Sequence, residues 1–222
     1  MTSGELLTVQ ETAKALGVSA RHARRLADSG SITRVTRGTI DRDSVDKYLL
    51  SRRQGRTRAW AEHTAWGAIA FLSGNDASWL GPTQSSRLRR ALREITEASQ
   101  LLTRMRDRAA VHTYTAHRAA LPRLRALLTS SDPGHLDISA LMPDGADGYL
   151  PETELDAAVR SLGLRVDEGG SAVLRVTGFD FDTVRHLVKT PVVAALDAGT
   201  SSDPRARGAG LRTLDDLLQA YR

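Results

Sequence analysis

Apolar residues recur every three or four positions over residues 9–27, and this spacing predicts two short helices joined by a tight turn. Thr8 precedes the first helix and Glu11 follows three residues later, as in a capping box, where the hydroxyl and the carboxylate bond reciprocally to backbone amides. Gly17 ends the first apolar stripe, at the place where a glycine with positive φ can end a helix. Ser19 can cap the second helix, which we expect over about residues 20–28.

Two short alternating runs follow and predict a hairpin. Residues 32–35 and 38–40 alternate apolar and polar side chains, and Gly38 is available for the turn between them. A third helix is then predicted from capping residues followed by apolar ones, namely Asp41, Asp43 and Ser44, then Val45, Tyr48, Leu49 and Leu50. Helix, tight turn, helix, hairpin and helix in this order form a winged helix-turn-helix.

Beyond residue 57 the pattern predicts a helical middle region. One helix is expected over residues 58–72, with Trp60, Gly67 and Phe71 on a face that is typical of a protein core. A longer helix begins at Gly81-Pro82-Thr83 and extends to about residue 108, because apolar residues recur along it at three- to four-residue spacing: Leu88, Leu92, Ile95, Leu102 and Met105. Its other side carries a row of arginines, namely Arg87, Arg90, Arg93, Arg104 and Arg108.

The remainder alternates between helical and strand patterns. Helices are predicted over residues 152–162, over 183–196 with an interruption near Pro191, and after Asp203-Pro204. Short strands are expected at 166–167 and 172–176, on either side of a Gly169-Gly170 turn. The fold class is therefore mainly α with α+β parts. We expect three domains: a winged helix-turn-helix at residues 1–53, a helical middle region at 57–131 and a small α/β module at 132–222.

The distribution of charge along the chain indicates which kind of molecule the protein binds. Residues 1–53 contain ten basic and six acidic residues, and residues 54–131 contain twelve basic and five acidic ones. The balance is reversed in residues 132–222, which contain nine basic and fifteen acidic residues. A basic front and an acidic back predict that nucleic acid meets the front of the chain. The cationic stretch 51–58 is typical of a linker, and the turn-forming cluster 129–134 stands where the charge changes sign.

Composition excludes several chemistries. The 222 residues contain no cysteine, so disulfide scaffolds, thiolate metal sites and cysteine nucleophiles are absent. No apolar run approaches the ~18 residues of a membrane helix, and the first residues lack a signal-peptide pattern, so we expect a cytoplasmic protein without membrane contact.

The front segment resembles the excisionase and MerR-type DNA-binding domains. The resemblance rests on residues 7–19, on Arg24-Arg25-Leu26, Gly30 and Ile32, and on residues 43–49. It implies that the second helix enters the major groove of double-stranded DNA while the hairpin follows the adjacent backbone or minor groove. The residues expected to contact DNA are Ser19, Arg21, His22, Arg24 and Arg25 on the second helix, with Arg34 and Arg37 on the hairpin.

Residues 57–222 resemble, more diffusely, the antitoxins of the AbiEi type. The matching runs include Leu80-Gly81-Pro82-Thr83-Gln84, Val173-Leu174-Arg175-Val176 and Pro191-Val192-Val193-Ala194-Ala195-Leu196-Asp197. This resemblance implies a repressor of its own toxin–antitoxin operon that counteracts a nucleotidyltransferase-type toxin. Single helix-turn-helix domains bind weakly, so we expect a homodimer or cooperative binding at an operator with an inverted repeat.

The sequence gives little sign of catalysis. Asp180 and Asp182 are the one closely spaced carboxylate pair that resembles a catalytic site. An Asp-Phe-Asp run, however, more often caps a helix than binds magnesium. His112, Tyr114 and His117 alternate as on a strand, without a third metal ligand at suitable spacing. We therefore expect no enzyme activity, no cofactor and no metal site.

Several alternatives stay open. An excisionase-like recombination factor would use the same DNA-binding front and few residues beyond it. A MerR-like regulator could bind a small ligand in the tryptophan-rich middle. Two further alternatives are that the protein is a scaffold that binds another protein, or an enzyme that uses the back module. The arginine row could extend the DNA-binding surface, or it could be a solvated face paired in part with Glu94 and Glu97.

Overall fold

The computed structural model divides into two compact units, residues 1–58 and residues 59–222. It describes residues 6–28, 32–36, 38–42, 44–46, 48, 58–136, 138 and 144–222. Some predicted features lie outside these residues: Arg37, Asp43, Leu49, Leu50 and most of the linker at 51–58.

The front unit is built around two helices and a small sheet. Its elements are β1 (Leu6–Thr8), α1 (Val9–Leu16), α2 (Ala20–Asp28), β2 (Arg34–Thr36) and β3 (Thr39–Asp41). The three strands are antiparallel in the order β1-β3-β2. We call β2 and β3 the wing. The predicted helix-turn-helix and hairpin are both confirmed.

Local capping fixes the two helices of the front unit. The Thr8 amide donates to the Glu11 carboxylate at 2.8 Å, and the Glu11 amide donates to the Thr8 hydroxyl at 3.2 Å, which confirms the capping box. These bonds to Thr8, the backbone bond first, lower the pKa of the Glu11 carboxyl. Gly17 ends α1 with φ at 63°, a conformation that glycine adopts without steric cost. The turn between α1 and α2 therefore follows from residues close together in the sequence.

A compact apolar core holds this unit together. Leu16, Leu26, Ile32, Ile40 and Val45 form one buried cluster, so both helices, the wing and the start of the predicted third helix share it. Residues 44–46 are helical, and the Ser44 amide donates to the Asp41 carboxylate at 3.0 Å, as a cap would. β1 was not predicted, because its three residues gain their partner only when Leu7 meets Ile40 across the sheet.

The second unit combines eight α-helices with a four-stranded sheet over its described residues. The helices are α3 (Glu62–Leu72), α4 (Pro82–Glu94), α5 (Ala98–Met105), α6 (Leu121–Leu127), α7 (Glu152–Leu162), α8 (Phe181–Leu187), α9 (Pro191–Gly199) and α10 (Pro204–Tyr221). The strands are β4 (Ala110–Thr115), β5 (Ala146–Pro151), β6 (Arg165–Val166) and β7 (Ala172–Thr177). Their order is β5-β7-β4-β6, with β5 parallel to β7 and the other pairs antiparallel.

Two apolar clusters make up the core of this unit. In the larger one, α3 is buried from Ala65 to Leu72 and α9 from Val192 to Gly199, as expected of helices that are apolar on all sides. The smaller cluster lies between the sheet and α6 and α7, and it includes Tyr114, Leu124 and Leu174. Gly67 and Phe71 are buried on α3, as predicted for the core face of this region, whereas α3 begins only at Glu62, so Trp60 precedes the helix and is partly buried against the larger cluster.

The predicted long helix over residues 82–108 is wrong in one respect, because the chain leaves the helix between Glu94 and Ala98. Ile95 is extended, with ψ at 120°, yet its side chain remains buried, so the apolar spacing continues through the break. The amide of Ala98 donates to the Asp215 carboxylate of α10 at 2.7 Å, which satisfies an amide that a continuous helix would have bonded internally. The arginine row is consequently divided: Arg87, Arg90 and Arg93 lie on α4, Arg104 lies on α5, and Arg108 ends the short 3-10 helix that follows α5.

The expected boundary at residue 132 does not separate compact units. β4, from the predicted middle region, lies between β7 and β6 of the predicted α/β module. Val166 and Ala172 pair with Tyr114 on opposite edges of β4, so the Gly169-Gly170 turn carries the chain across the end of this strand instead of closing a hairpin. The middle and the back therefore share one sheet, and both contribute residues to each of the two apolar clusters.

Charged groups are also buried inside the second unit. Arg108, predicted on the exposed arginine row, is 4% exposed, and its guanidinium donates to Asp197 at 2.8 Å and to the Tyr149 hydroxyl at 3.0 Å. Arg175 donates to both carboxylate oxygens of Asp147, at 2.8 and 2.9 Å. Burial alone would raise the pKa of the Asp197 carboxyl, but Arg175 and Arg108 outweigh it and lower that pKa.

None of the helices in the described part of the chain has the length and apolar character needed to cross a membrane.

Candidate nucleic-acid interface

Helix α2 separates a buried side from a cationic side. Ala23 and Leu26 point into the core of the front unit, with 0% and 8% exposure. Arg21, Arg24 and Arg25 are exposed on the remaining surface. This division follows from the sequence, because Ala23 and Leu26, three apart, share one face of a helix, and Arg21, Arg24 and Arg25 fall on the opposite side.

The exposed side of α2 forms a shallow concavity of about 520 Å³. We call the residues that line it the arginine face: Ser19, Arg21, His22, Arg24, Arg25 and Asp28. Five of the seven residues predicted to contact DNA are thus brought together on one surface. Asp28 was not among the predicted residues, and it is the one acidic member of the arginine face.

Ser19 acts locally on the helix. Its hydroxyl accepts a hydrogen bond from the His22 amide at 3.2 Å, so it caps α2 as predicted. The cap satisfies one of the free amides of the first turn and fixes where α2 begins. Ser19 therefore positions the arginines that follow, whether or not its hydroxyl also reaches a phosphate.

Arg25 is held by a neighbour on the same helix. One of its Nη2 hydrogens points to His22 Nδ1, at a distance of 2.8 Å between the nitrogens. Arginine can only donate, so His22 Nδ1 is the acceptor of this hydrogen bond. The contact orients the guanidinium of Arg25 and leaves its other donors available.

Arg34 connects the wing to the end of α2. Its Nη2 lies 2.6 Å from Asp28 Oδ1, and both side chains are largely exposed, at 40% and 62%. Arg37, the other predicted wing contact, is outside the described residues. The wing therefore offers one described arginine, and that arginine already has an acidic partner.

Arg21 and Arg24 are different, since neither forms a hydrogen bond or ion pair with the part of the chain that the structure describes. Each presents five donors to solvent, arranged so that two can bond in parallel to guanine O6 and N7 or to two phosphate oxygens. Arg21 and Arg24 of the arginine face thus have no partner among the described residues, while Arg25 and, from the wing, Arg34 are held in place.

Other predicted sites carry no comparable arrangement. Asp180 caps α8 by accepting from the Thr183 amide at 2.9 Å, and Asp182 lies 3.3 Å from Arg185. The His117 ring accepts from the Ala119 amide at 3.2 Å. In the described ranges, no three histidine, aspartate or glutamate side chains form a group that could hold a metal ion.

Comparison with known proteins agrees with this geometry. Residues 6–53 match a protein family described as a helix-turn-helix domain. The front unit is an N-terminal helix-turn-helix DNA-binding domain. No curated protein and no solved structure matches the chain.

Proposed function

We propose that the protein is a transcriptional regulator that places α2 in the major groove of its operator. The observation that carries the proposal is the arginine face, where Arg21 and Arg24 have no partner in the described part of the chain and Arg25 is oriented by His22. A helix in the major groove presents such side chains to base edges and to the phosphates on either side. Arg34 of the wing then lies against the neighbouring backbone.

Affinity and selectivity have different sources in this arrangement. Guanidinium contacts to phosphate supply affinity that depends on salt, because they release condensed counterions from DNA. Bidentate contacts to guanine supply preference for a sequence. Two copies on an inverted repeat would add affinity and fix the spacing of the two half-sites, so operator binding is expected as a dimer or with cooperativity.

The biological role that we propose is that of an antitoxin. Through its front unit the protein would repress its own operon, and it would counteract a nucleotidyltransferase-type toxin encoded beside it. The resemblance of residues 57–222 to AbiEi-type antitoxins supports this role, and so does the presence of a large second unit with its own core. The proposal assigns no catalytic role and no cofactor to either unit.

An excisionase-like recombination factor is the second candidate, and the front unit supports it equally. Such a factor bends DNA at an attachment site and needs little beyond a winged helix-turn-helix. The size of the second unit, residues 59–222, favours the regulator.

A binding experiment with full-length protein tests the regulator. We would measure the affinity of the wild type for DNA upstream of its own gene and for a scrambled duplex, at several salt concentrations. The Arg21→Ala/Arg24→Ala variant should bind the upstream DNA roughly 10- to 100-fold more weakly, with a salt dependence that is shallower by about 1–2 units.

The matched control is Arg205→Ala/Arg212→Ala, which removes the same charge from exposed positions of α10 in the second unit, outside the arginine row. Its affinity should stay close to wild type. Equal losses in both variants would mean that net charge, and not the arginine face, determines binding. Equal affinity of the wild type for both duplexes would contradict a sequence-selective regulator.

A further inference from the structure

Asp28 stands in a place that two electrostatic effects disfavour. It is the last residue of α2, where the helix dipole already concentrates negative charge. It also lines the arginine face, where it would repel the phosphates that the neighbouring arginines attract. An acidic side chain at this position therefore calls for a compensating partner or a function.

The partner is Arg34, whose Nη2 lies 2.6 Å from Asp28 Oδ1. Side-chain exposures of 62% for Asp28 and 40% for Arg34 place the pair in water, where ion pairs contribute little to folding stability. A contribution to folding stability therefore does not explain why Asp28 and Arg34 are paired. The clearer effect of the pair is on the surface that meets DNA, where it holds the wing arginine against the end of α2 and cancels one positive charge.

Holding Arg34 changes how it can bind DNA. A guanidinium that is already oriented loses less side-chain freedom when it contacts its target. A phosphate that approaches Arg34 in any other geometry meets the Asp28 carboxylate as well. A correctly aligned phosphate therefore forms the full contact with Arg34. A phosphate in another register is attracted more weakly, because Asp28 largely neutralises the charge of Arg34.

We propose that Asp28 is a specificity-determining residue that positions Arg34 and weakens binding to nonspecific DNA more than binding to the operator. This inference rests on the function proposed above. It assigns Asp28 a role through Arg34, and it requires no direct contact of the carboxylate with a base.

The test compares Asp28→Asn with wild type on operator and nonspecific duplexes over a range of salt concentrations. Release of Arg34 should tighten nonspecific binding by about 3- to 10-fold and steepen its salt dependence by about one unit, as one added phosphate contact would. Operator affinity should change less, so the ratio of specific to nonspecific affinity should fall. Asp28→Glu, which keeps the charge, should preserve most of that ratio.

Two further variants separate this role from a general charge effect. Asp46→Asn removes the same charge from the same unit, where Asp46 lies 3.8 Å from Arg42, and it should change both affinities by the same factor. In an Arg34→Ala background, Asp28→Asn should no longer steepen the salt dependence of nonspecific binding. Thermal unfolding of each variant, followed by circular dichroism, checks that the front unit remains folded.

The outcomes distinguish the inference from the proposed function. If the wild type binds its operator selectively and Arg21→Ala/Arg24→Ala abolishes that binding, the regulator stands. An unchanged affinity ratio in Asp28→Asn would then overturn the role of Asp28 alone, and so would an Asp28→Asn variant that does not fold, because the pair would be structural. Absence of selective binding by the wild type would overturn the proposed function itself.

Discussion

Asp197 connects distant parts of the second unit through a single carboxylate. One of its oxygens accepts from Arg108 and from the Tyr149 hydroxyl, both at 2.8 Å, and the other accepts from the Ser131 hydroxyl at 3.0 Å. The side chain of Asp197 is only 2% exposed. A buried charge that is fully hydrogen-bonded is tolerated, but the loss of one partner leaves the opposite charge uncompensated.

Asp197→Asn should therefore destabilise the second unit by about 3–5 kcal/mol, because Arg108 and Arg175 lose a negative partner in the interior. Denaturant unfolding followed by tryptophan fluorescence measures this directly, since Trp60, Trp66 and Trp79 all lie in that unit. Asp216→Asn on the exposed side of α10 should change the free energy of unfolding by less than about 0.5 kcal/mol. Equal midpoints for both variants would show that the buried network contributes little.

At this scale the sequence predicts which residues share a face, but not their partners across the fold. The positions of Arg21, Arg24 and Arg25 follow from helical spacing and the burial of Ala23 and Leu26. The role of Asp28 does not, because Arg34 reaches it only after the chain has turned back into the wing. Arg108 was placed among exposed arginines for the same reason, since its partners come from residues 149 and 197.

Helices α9 and α10 pack so closely that a glycine is required between them. A methyl group on Gly210 would lie 2.4 Å from the amide nitrogen of Gly199 and 2.6 Å from the carbonyl oxygen of Ala195. Both neighbours are backbone atoms of α9, which cannot rotate away. Gly208, two residues earlier on α10, would meet only the flexible end of Arg212, at 3.3 Å.

The two glycines provide a matched pair of substitutions on one helix. Each change to alanine gains up to ~1 kcal/mol of helix propensity, so the difference between the two variants reports packing. Gly208→Ala should be neutral or stabilising, whereas Gly210→Ala should destabilise by about 1–3 kcal/mol because the two helices must separate. The free energy of unfolding of each variant measures this difference. Equal stabilities would contradict the close contact.

Elements that depend on local residues could be predicted, and elements that depend on distant pairing could not. The capping box of α1, the Gly17 turn and the interruption before Pro191 each involve residues a few positions apart. β1 and the central position of β4 arise only when remote strands pair. The break after Glu94 was also hidden, because Ile95 keeps the apolar spacing while Asp215 of α10 bonds the amide of Ala98.

For the whole molecule, net charge locates the DNA-binding unit only in part. Residues 1–53, which carry the arginine face, have four more basic than acidic residues, but residues 54–131, nearly all of them in the second unit, have seven more. Acidic residues dominate after residue 132, yet this segment shares a sheet with β4 and forms one unit with it. Charge reports what a surface attracts, whereas the division into units depends on which strands pair and which apolar faces meet.

The central claim is that the arginine face reads DNA sequence. The most direct measurement is selection of a random duplex library by full-length wild type, Arg21→Ala and Arg24→Ala, with each preferred sequence determined by sequencing. We predict that the wild type selects an inverted repeat and that at least one variant loses preference at particular base pairs of each half-site, with a cost of about 1–3 kcal/mol there. A wild type that selects no sequence, or two variants that keep both its preference and its affinity, would contradict the claim.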